Sequence, residues 1–187
     1  MKSPFYFIVK PMEGKRYSNT GDFGGVELIV STSEEDFKFA NRYAEVIETP
    51  IGYAGPIEPG DTLIVHHNVF KFYNDVQGNR KSGMSFFRDD LFFIDFDQFY
   101  MYKKDEDWTA QGRYCFVEPI DTVDSFVYKP FSEEPLMGTM RYPSEYLKSQ
   151  GVNAGALISF EPDSEYEFTI NDKKMYRMFE HNIKILL

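Results

Sequence analysis

The sequence has very little cysteine and no long apolar stretch. Cys115 is the one cysteine among 187 residues, so no internal disulfide can form. No apolar run reaches the roughly 20 residues of a membrane span, and no basic-then-apolar leader precedes a small-residue cleavage site. A lone thiol is typical of proteins from reducing compartments. We therefore expect a cytoplasmic protein.

Basic side chains are scarce relative to acidic ones. The chain carries 20 Lys and Arg against 30 Asp and Glu, a formal net charge of −10. Nucleic-acid backbones and anionic membrane surfaces select clusters of Lys and Arg. We therefore expect neither nucleic acid nor a membrane among the partners.

Aromatic residues, in contrast, are abundant, with 19 Phe and 13 Tyr. Aromatic and β-branched side chains favour strands, and clusters of Gly, Asn and Asp favour turns. The pattern predicts an all-β chain with strands near 5–10, 44–49, 61–66, 68–73, 91–95, 99–103, 113–118, 125–129, 136–141, 156–160, 165–170, 174–179 and 183–187. Helical patterns are weak, and we expect only short turns after Ser33 and near 143–148.

Four segments recur in the same order in the two halves of the chain, which indicates an internal duplication. The matched pairs are 7–12 with 115–120, 44–50 with 137–143, 60–65 with 153–159, and 94–102 with 178–186. The stretch 103–112 between the halves is charged and then small and polar, as expected of a linker. We predict two domains, residues 1–108 and 109–187.

The halves differ in the length of one connection. Pro11 and Pro50 lie 39 residues apart, whereas Pro119 and Pro143 lie 24 apart. The longer connection holds four glycines and then the apolar run 26–30, so we expect residues 14–32 to be mobile. An apolar patch on a mobile tether is typical of a binding element. The alternative is that residues 26–30 form an ordinary strand of the first domain.

The order of features in the first half resembles the GroES co-chaperonin family. The features are an N-terminal apolar strand, the loop sequence Gly24-Gly25-Val26-Glu27-Leu28, the strand Ala44-Glu45-Val46-Ile47, the step Pro59-Gly60-Asp61-Thr62-Leu63-Ile64-Val65, and closing strands from Ile94 to Tyr102. The resemblance covers residues 5–103 and, without the long loop, 113–187.

This resemblance implies two tandem GroES-like small β-barrels, the first with a long mobile loop. It implies a non-enzymatic co-chaperonin that caps a GroEL-type chaperonin ring as a homo-oligomer, a ring of seven, without metal or cofactor. The chaperonin-binding residues it implies are Gly24, Gly25, Val26, Leu28, Ile29 and Val30.

Three departures from the family pattern leave the docking triplet open. Glu27 stands where the family keeps apolar residues, so the triplet is either centred on Val26 and Leu28 or shifted to 28–30. The hairpin between Pro50 and Pro59 is short, and residues 74–90 form a longer insertion than the family has. Such departures fit a divergent, virus-encoded member.

Other candidate sites are weaker. His66 and His67 are adjacent, and neighbours in a strand point to opposite faces, so we expect no shared metal. Cys115 takes a core strand position in the repeat, so we expect a buried thiol rather than a nucleophile. We expect the acidic pair Asp89-Asp90 to be solvated surface.

Two other function classes compete with a co-chaperonin. The second is a structural or assembly protein, for example of a virion, that uses the barrels for packing. The third is an enzyme, because GroES-like barrels occur as domains of larger oxidoreductases. The sequence has no Gly-x-Ser-x-Gly elbow, phosphate loop or dinucleotide fingerprint, and a mobile loop with an apolar end favours the co-chaperonin.

Overall fold

The structure is a computed structural model that describes residues 1–17, 20–22, 27–29, 40–121, 133–171 and 173–187. These residues form two compact units, Met1–Asp107 and Trp108–Leu187. Both units are built from antiparallel strands, which confirms the predicted all-β class. The predicted strand at 125–129 and the predicted turn after Ser33 lie outside the described residues.

Seven strands form the first large sheet, in the order β11-β10-β5-β4-β1-β9-β8. The strands numbered up to this point are β1 (Phe7–Pro11), β2 (Thr20–Asp22), β3 (Glu27–Ile29), β4 (Tyr43–Glu48), β5 (Thr62–Val65), β6 (Phe72–Asn74), β7 (Arg80–Ser82), β8 (Phe86–Arg88), β9 (Leu91–Ile94), β10 (Phe99–Lys104) and β11 (Asp107–Ala110). β2 pairs with β3, and β6 with β7, as separate two-stranded ribbons. The division between the units falls inside β11.

Six strands form the second large sheet, in the order β15-β16-β12-β13-β14-β17. They are β12 (Tyr114–Asp121), β13 (Glu133–Tyr142), β14 (Leu157–Phe160), β15 (Tyr166–Ile170), β16 (Lys173–Phe179) and β17 (Ile183–Leu186), with the helix α1 (Glu145–Ser149) between β13 and β14. Ser144 caps α1, because its hydroxyl accepts a hydrogen bond from the Leu147 N–H at 3.2 Å.

Six of the seven strands of the first sheet have counterparts in the second sheet. Six strands of the first sheet (β10-β5-β4-β1-β9-β8) correspond in order to β17-β14-β13-β12-β16-β15 of the second. The irregularities repeat as well, since the pairing register shifts after Ile8 between β1 and β4 and after Phe116 between β12 and β13. The shared strand order and the shared register shift agree with the internal duplication predicted from the sequence.

A glycine turn before β5 recurs before β14. Val46 accepts a hydrogen bond from the Gly60 N–H and donates one to the Asp61 carbonyl, at 2.7 and 2.9 Å. Met140 makes the same two bonds with Gly155 and Ala156, at 2.8 and 2.9 Å. The two glycines have φ of 99° and 90°, in the left-handed region that L side chains rarely adopt.

One of the four sequence matches is off by one residue. Pro11 pairs with Ala44 and Pro119 pairs with Gly138, so residue 44 corresponds to 138 and not to 137. The sequence match was anchored on Pro50 and Pro143. Both prolines lie beyond the strands, where pairing no longer fixes the spacing of the chain.

Each large sheet packs one face against its own core. Residues on the opposite face of the central strands, such as Ile8, Ile64 and Phe116, are buried as well. The first cluster consists of Phe7, Val9, Ala44, Val46, Ile57, Leu63, Val65, Val69, Phe70, Phe92, Ile94 and Phe99. The second consists of Cys115, Val117, Met140, Leu147, Val152, Ile158, Phe160 and Met178. Most members alternate along neighbouring strands, so they share one face of their sheet. Among the described strands, β11 and β8 are the end strands of the first sheet, and β17 and β15 those of the second.

Most predicted strands lie where the structure has strands. The prediction at 68–73 is the exception, because residues 67–70 form a turn and β6 begins at Phe72. The short strands β7, β8 and β11 were not predicted. Each has three or four residues, too few for the alternation of apolar and polar side chains to stand out.

Gly138 provides a test of the close approach of β13 to β12. A Cβ at this position would lie 2.3 Å from Val117 Cγ1 and 2.8 Å from the Glu118 carbonyl oxygen. We expect Gly138→Ala to lower the free energy of unfolding by about 1–3 kcal/mol, because the backbone must move to admit the methyl group. Urea unfolding measures the change.

Gly83→Ala is the matched control. Its Cβ would contact backbone carbonyls at 3.4 Å, an ordinary contact distance, so a much smaller change is expected. Equal stability of Gly138→Ala and the wild type would contradict the register of β12 and β13.

Candidate functional site

Of the predicted docking residues, Leu28 and Ile29 lie in β3 of the ribbon β2–β3. Gly24, Gly25, Val26 and Val30 lie outside the described residues. In the backbone of β3, Gly21 pairs with Leu28 and Thr20 with Ile29. β3 has no neighbour in the seven-stranded sheet among the described strands. It is therefore not one of the strands that build the repeated sheet.

The base of the segment 18–39 is closed by a strand-like contact. Tyr17 and Ala40, which flank the segment, form an antiparallel bridge, and the Asn41 N–H donates to the Arg16 carbonyl at 2.9 Å. The Asn41 side-chain amide donates to the carbonyls of Met12 and Lys15, at 3.0 and 2.7 Å. These contacts hold the residues that flank the segment, 16–17 and 40–41, next to one another.

The Arg16 side chain ties this point to the strands that follow β5. Its guanidinium lies over the rings of Phe72, Phe92 and Phe86, at 4.0, 4.5 and 5.1 Å from their centroids. Two of its nitrogens donate to the Ser82 hydroxyl at 3.1 and 3.2 Å. Burial lowers the pKa of Arg16 from its ordinary value, and Asp90 opposes this change. Cations over aromatic faces in half-buried positions are stabilised electrostatically.

Tyr17 adds a second link to the same strand. Its hydroxyl accepts a hydrogen bond from the Phe72 N–H at 2.7 Å. The two rings are stacked, with centroids 6.0 Å apart and planes inclined by 16°. We call the group of residues that holds the ends of the segment the base clamp; its members are Arg16, Tyr17, Ala40, Asn41, Phe72 and Ser82.

The second unit closes its corresponding connection in a different way. Asp121 pairs with Glu133 across the ends of residues 122–132, a connection half as long. Glu133 accepts hydrogen bonds from Lys174, at 2.7 Å, and from the Tyr176 hydroxyl. Burial acts to raise the pKa of Glu133, but these two hydrogen bonds outweigh it and hold that pKa below its usual value. The bond to Glu133 raises the pKa of Lys174.

Sequence reasoning missed the base clamp. The extra residues of the longer connection are visible in the sequence. Because they are inserted between two strands that pair, their two ends must lie close together. Phe72, Phe86 and Phe92 come from three strands, however, and no local pattern brings them to Arg16. Pairing of the strands is needed to place them together.

The geometric reason for expecting no shared metal at His66 and His67 is wrong. β5 ends at Val65, so the two histidines lie in the turn that follows and not on opposite faces of a strand. Their ring centroids are 4.1 Å apart. Burial lowers the pKa of His67 to about 4, with further lowering by His66, Arg42 and Lys71. No group of three or more His, Cys, Asp or Glu side chains suited to a metal ion occurs in the described part of the chain.

Cys115 is fully buried in the second core, as predicted. Burial raises the pKa of its thiol to about 12, and the nearby Glu180 carboxylate acts in the same direction. The thiolate is the nucleophilic form, so Cys115 is unsuited to nucleophilic chemistry near neutral pH.

In the described ranges, no helix combines the length and the apolar character needed to cross a bilayer; α1 has five residues. Neither any family model nor any curated protein matches this chain.

His67 predicts a pH dependence of stability. Its pKa of about 4 in the folded chain lies below the ordinary value of 6.5, so the unfolded chain binds more protons between these pH values. We expect the free energy of unfolding to be fully supported by His67 above pH 6.5 and to fall as the pH is lowered towards 4. Urea unfolding at pH 7 and pH 5 measures this, and His67→Gln should lose less stability than the wild type over that interval. Identical losses in both proteins would contradict the burial of the neutral ring.

Proposed function

We propose that this chain is a cytoplasmic co-chaperonin that caps a GroEL-type chaperonin ring and assists protein folding. In this proposal each large sheet is a GroES-like small barrel, and residues 24–30 are the docking segment. One observation carries it: of two units with the same strand order, only the first has the long connection with an apolar run, and β3 in that connection stands outside the repeated sheet.

Docking needs no catalytic group in this proposal. Burial of Leu28 and Ile29 in a groove of the partner supplies up to roughly 1.5–3 kcal/mol for each side chain. Ordering the segment costs roughly 1–2 kcal/mol for each backbone residue, so one segment alone binds weakly. Several copies in one ring bind together far better, because each later contact is intramolecular.

The duplication also supports assembly of several copies. In the first sheet, β10 lies between β5 and β11, whereas its counterpart β17 has only β14 beside it among the described strands. Met101 of β10 is fully buried, but its counterpart Ile185 is 54% exposed. An open edge with apolar side chains is a template for strand addition. We propose that a strand of another copy covers β17, and the family resemblance suggests a ring of seven.

The docking residues can be separated from the core by paired variants. Replacing Leu28 and Ile29 with Ser should abolish capture by a GroEL-type chaperonin with nucleotide, because the apolar side chains supply most of the burial at the partner. The melting temperature of this variant should stay near that of the wild type. Size-exclusion chromatography of the mixture and a thermal melt measure the two quantities.

Ile64 and Val65 provide the matched control, since both are apolar and fully buried in β5. Replacing them with Ser should unfold the protein, because truncating buried aliphatic side chains costs roughly 2–5 kcal/mol each. If the variant at 28 and 29 melts early, these residues belong to the core. If the wild type is not captured at all but assembles into particles by itself, a structural or assembly role replaces the co-chaperonin.

Leu186 tests the proposed assembly edge. The Leu187 N–H donates to the Leu157 carbonyl of the neighbouring strand, so by alternation the Leu186 N–H points to the open edge. Leu186→Pro removes that donor and should reduce the assembly to single chains, whereas Leu186→Ala keeps the donor and should assemble. Light scattering after size exclusion gives the mass. Assembly of the proline variant like that of the wild type would show that β17 is not the contact.

A further inference from the structure

One face of the ribbon β6–β7 brings a serine and two arginines together. Ser82 pairs with Phe72 across the ribbon, so their side chains lie on the same face. Arg80 precedes Ser82 by two positions in β7 and shares that face by alternation. The guanidinium groups of Arg16 and Arg80 lie over the Phe72 ring, at 4.0 and 3.7 Å from its centroid. Two guanidinium groups therefore lie on the same side of the ribbon as the Ser82 hydroxyl.

The Arg16 guanidinium points two donors at a single oxygen. Its Nη1 and Nη2 donate to the Ser82 Oγ at 3.1 and 3.2 Å. The rings of Phe72, Phe92 and Phe86 lie around the same guanidinium and fix the orientation of its plane. A planar fork of N–H donors is the group with which proteins bind phosphate oxygens in pairs. The fork already faces the position that oxygens attached to the Ser82 Oγ would occupy.

The two arginines place positive charge at one point of an acidic chain. Burial lowers the pKa of Arg16, Asp90 opposes this change, and Arg80 adds to the lowering because it is a like charge nearby. Holding two cations around the Phe72 ring costs electrostatic free energy. A group with two negative charges at Ser82 would offset that cost.

The sequence before Ser82 is basic and exposed. Arg80 and Lys81 directly precede the serine, and both are exposed, whereas Ser82 is half-buried. Kinases select substrates partly by the pattern of charges beside the acceptor. β7 has three residues and, among the described strands, pairs only with β6. Two-stranded ribbons are marginally stable, so local opening can present this segment to an enzyme.

We infer that Ser82 is a phosphoacceptor site for a serine kinase that selects basic substrates, and that Arg16 and Arg80 bind the resulting phosphate. The Ser82 Oγ attacks the γ-phosphorus of a nucleoside triphosphate. The new Oγ–P bond replaces the bond to the departing nucleoside diphosphate, and the hydroxyl proton passes to a base of the kinase. The phosphate adds a charge of about −1.5 to −2 and three acceptor oxygens, so it ties the ribbon to Arg16 more strongly than the hydroxyl does. The inference is independent of the proposed function.

Phosphoserine introduced at position 82 during translation of the full chain tests the binding of the phosphate. We expect the melting temperature to rise by about 4 °C. Phosphorus NMR should give the phosphate a pKa below the value of about 6 that is usual for phosphoserine, because the guanidinium groups favour the dianion. Arg16→Met should return this pKa to about 6. Phosphoserine at Ser164, which lies between Asp163 and Glu165, is the matched control and should titrate no lower than about 6.

Two further variants keep the test independent of any damage that Arg16→Met does to the fold. Arg80→Met changes an exposed side chain and should raise the pKa of phosphoserine 82 part of the way. Lys81→Met changes the opposite face of the ribbon and should leave that pKa unchanged, although it slows modification by the kinase. Recognition by the enzyme and binding of the phosphate are thereby separated.

Incubation of the unmodified chain with ATP and an arginine-directed serine kinase tests the acceptor. Mass spectrometry of the peptides should find phosphate on Ser82 and not on Ser164, and Ser82→Ala should remove it. Modification of other serines but not of Ser82 would overturn the acceptor role. A phosphate pKa at position 82 that is the same with and without Arg16 and Arg80 would overturn the binding role. Equal stabilisation of the unmodified chain by inorganic phosphate would show that the site takes a free anion, and would overturn the covalent assignment.

Discussion

Both sheets depend on the two backbone hydrogen bonds that join the strand β4, or β13, to a glycine turn. These bonds fix the register of the next strand, so that Leu63 follows on the same face as Val46, and Ile158 on the same face as Met140. A slip of one residue would turn every side chain of the strand to the opposite face. The positive φ of the turn restricts the position to glycine in practice. The two cores are consequently built from equivalent positions although few of the residues are identical.

Local patterns were sufficient to predict the class and most strands. Alternating apolar residues and turn-forming residues are determined by neighbours in sequence, and the ungapped match of 94–102 with 178–186 agrees with the pairing of Ile94 with Phe7 and of Met178 with Cys115. The match anchored on Pro50 is off by one residue because Pro50 lies beyond the end of β4, where strand pairing no longer fixes the spacing of the chain. The geometry of His66 and His67 was wrong for a related reason, since the end of β5 is decided by the turn that follows it.

The candidate site could be predicted only in part. The extra length of the first connection is visible in the sequence, and the docking residues were inferred from a family resemblance, not from physical constraints on Leu28 or Ile29. Arg16 gave no sequence signal, because its partners Phe72, Phe86 and Ser82 lie more than fifty residues away along the chain. These contacts form only when three strands have paired in the folded chain, and the residues next to Arg16 in the sequence do not indicate that pairing.

The two units use different interactions to hold the ends of their corresponding connections, and the two connections differ in length. Doubling the length of a loop costs only about 0.6 kcal/mol of closure entropy, so the greater length of the segment 18–39 lowers the free energy of unfolding only slightly. The second unit closes its shorter connection with the ion pair of Lys174 and Glu133, which lies near the surface, and salt weakens such pairs. The first unit instead places the Arg16 guanidinium between aromatic rings, where part of its stabilisation comes from dispersion and ring electrostatics. A base held in this way is less sensitive to ionic strength than the surface ion pair of the second unit.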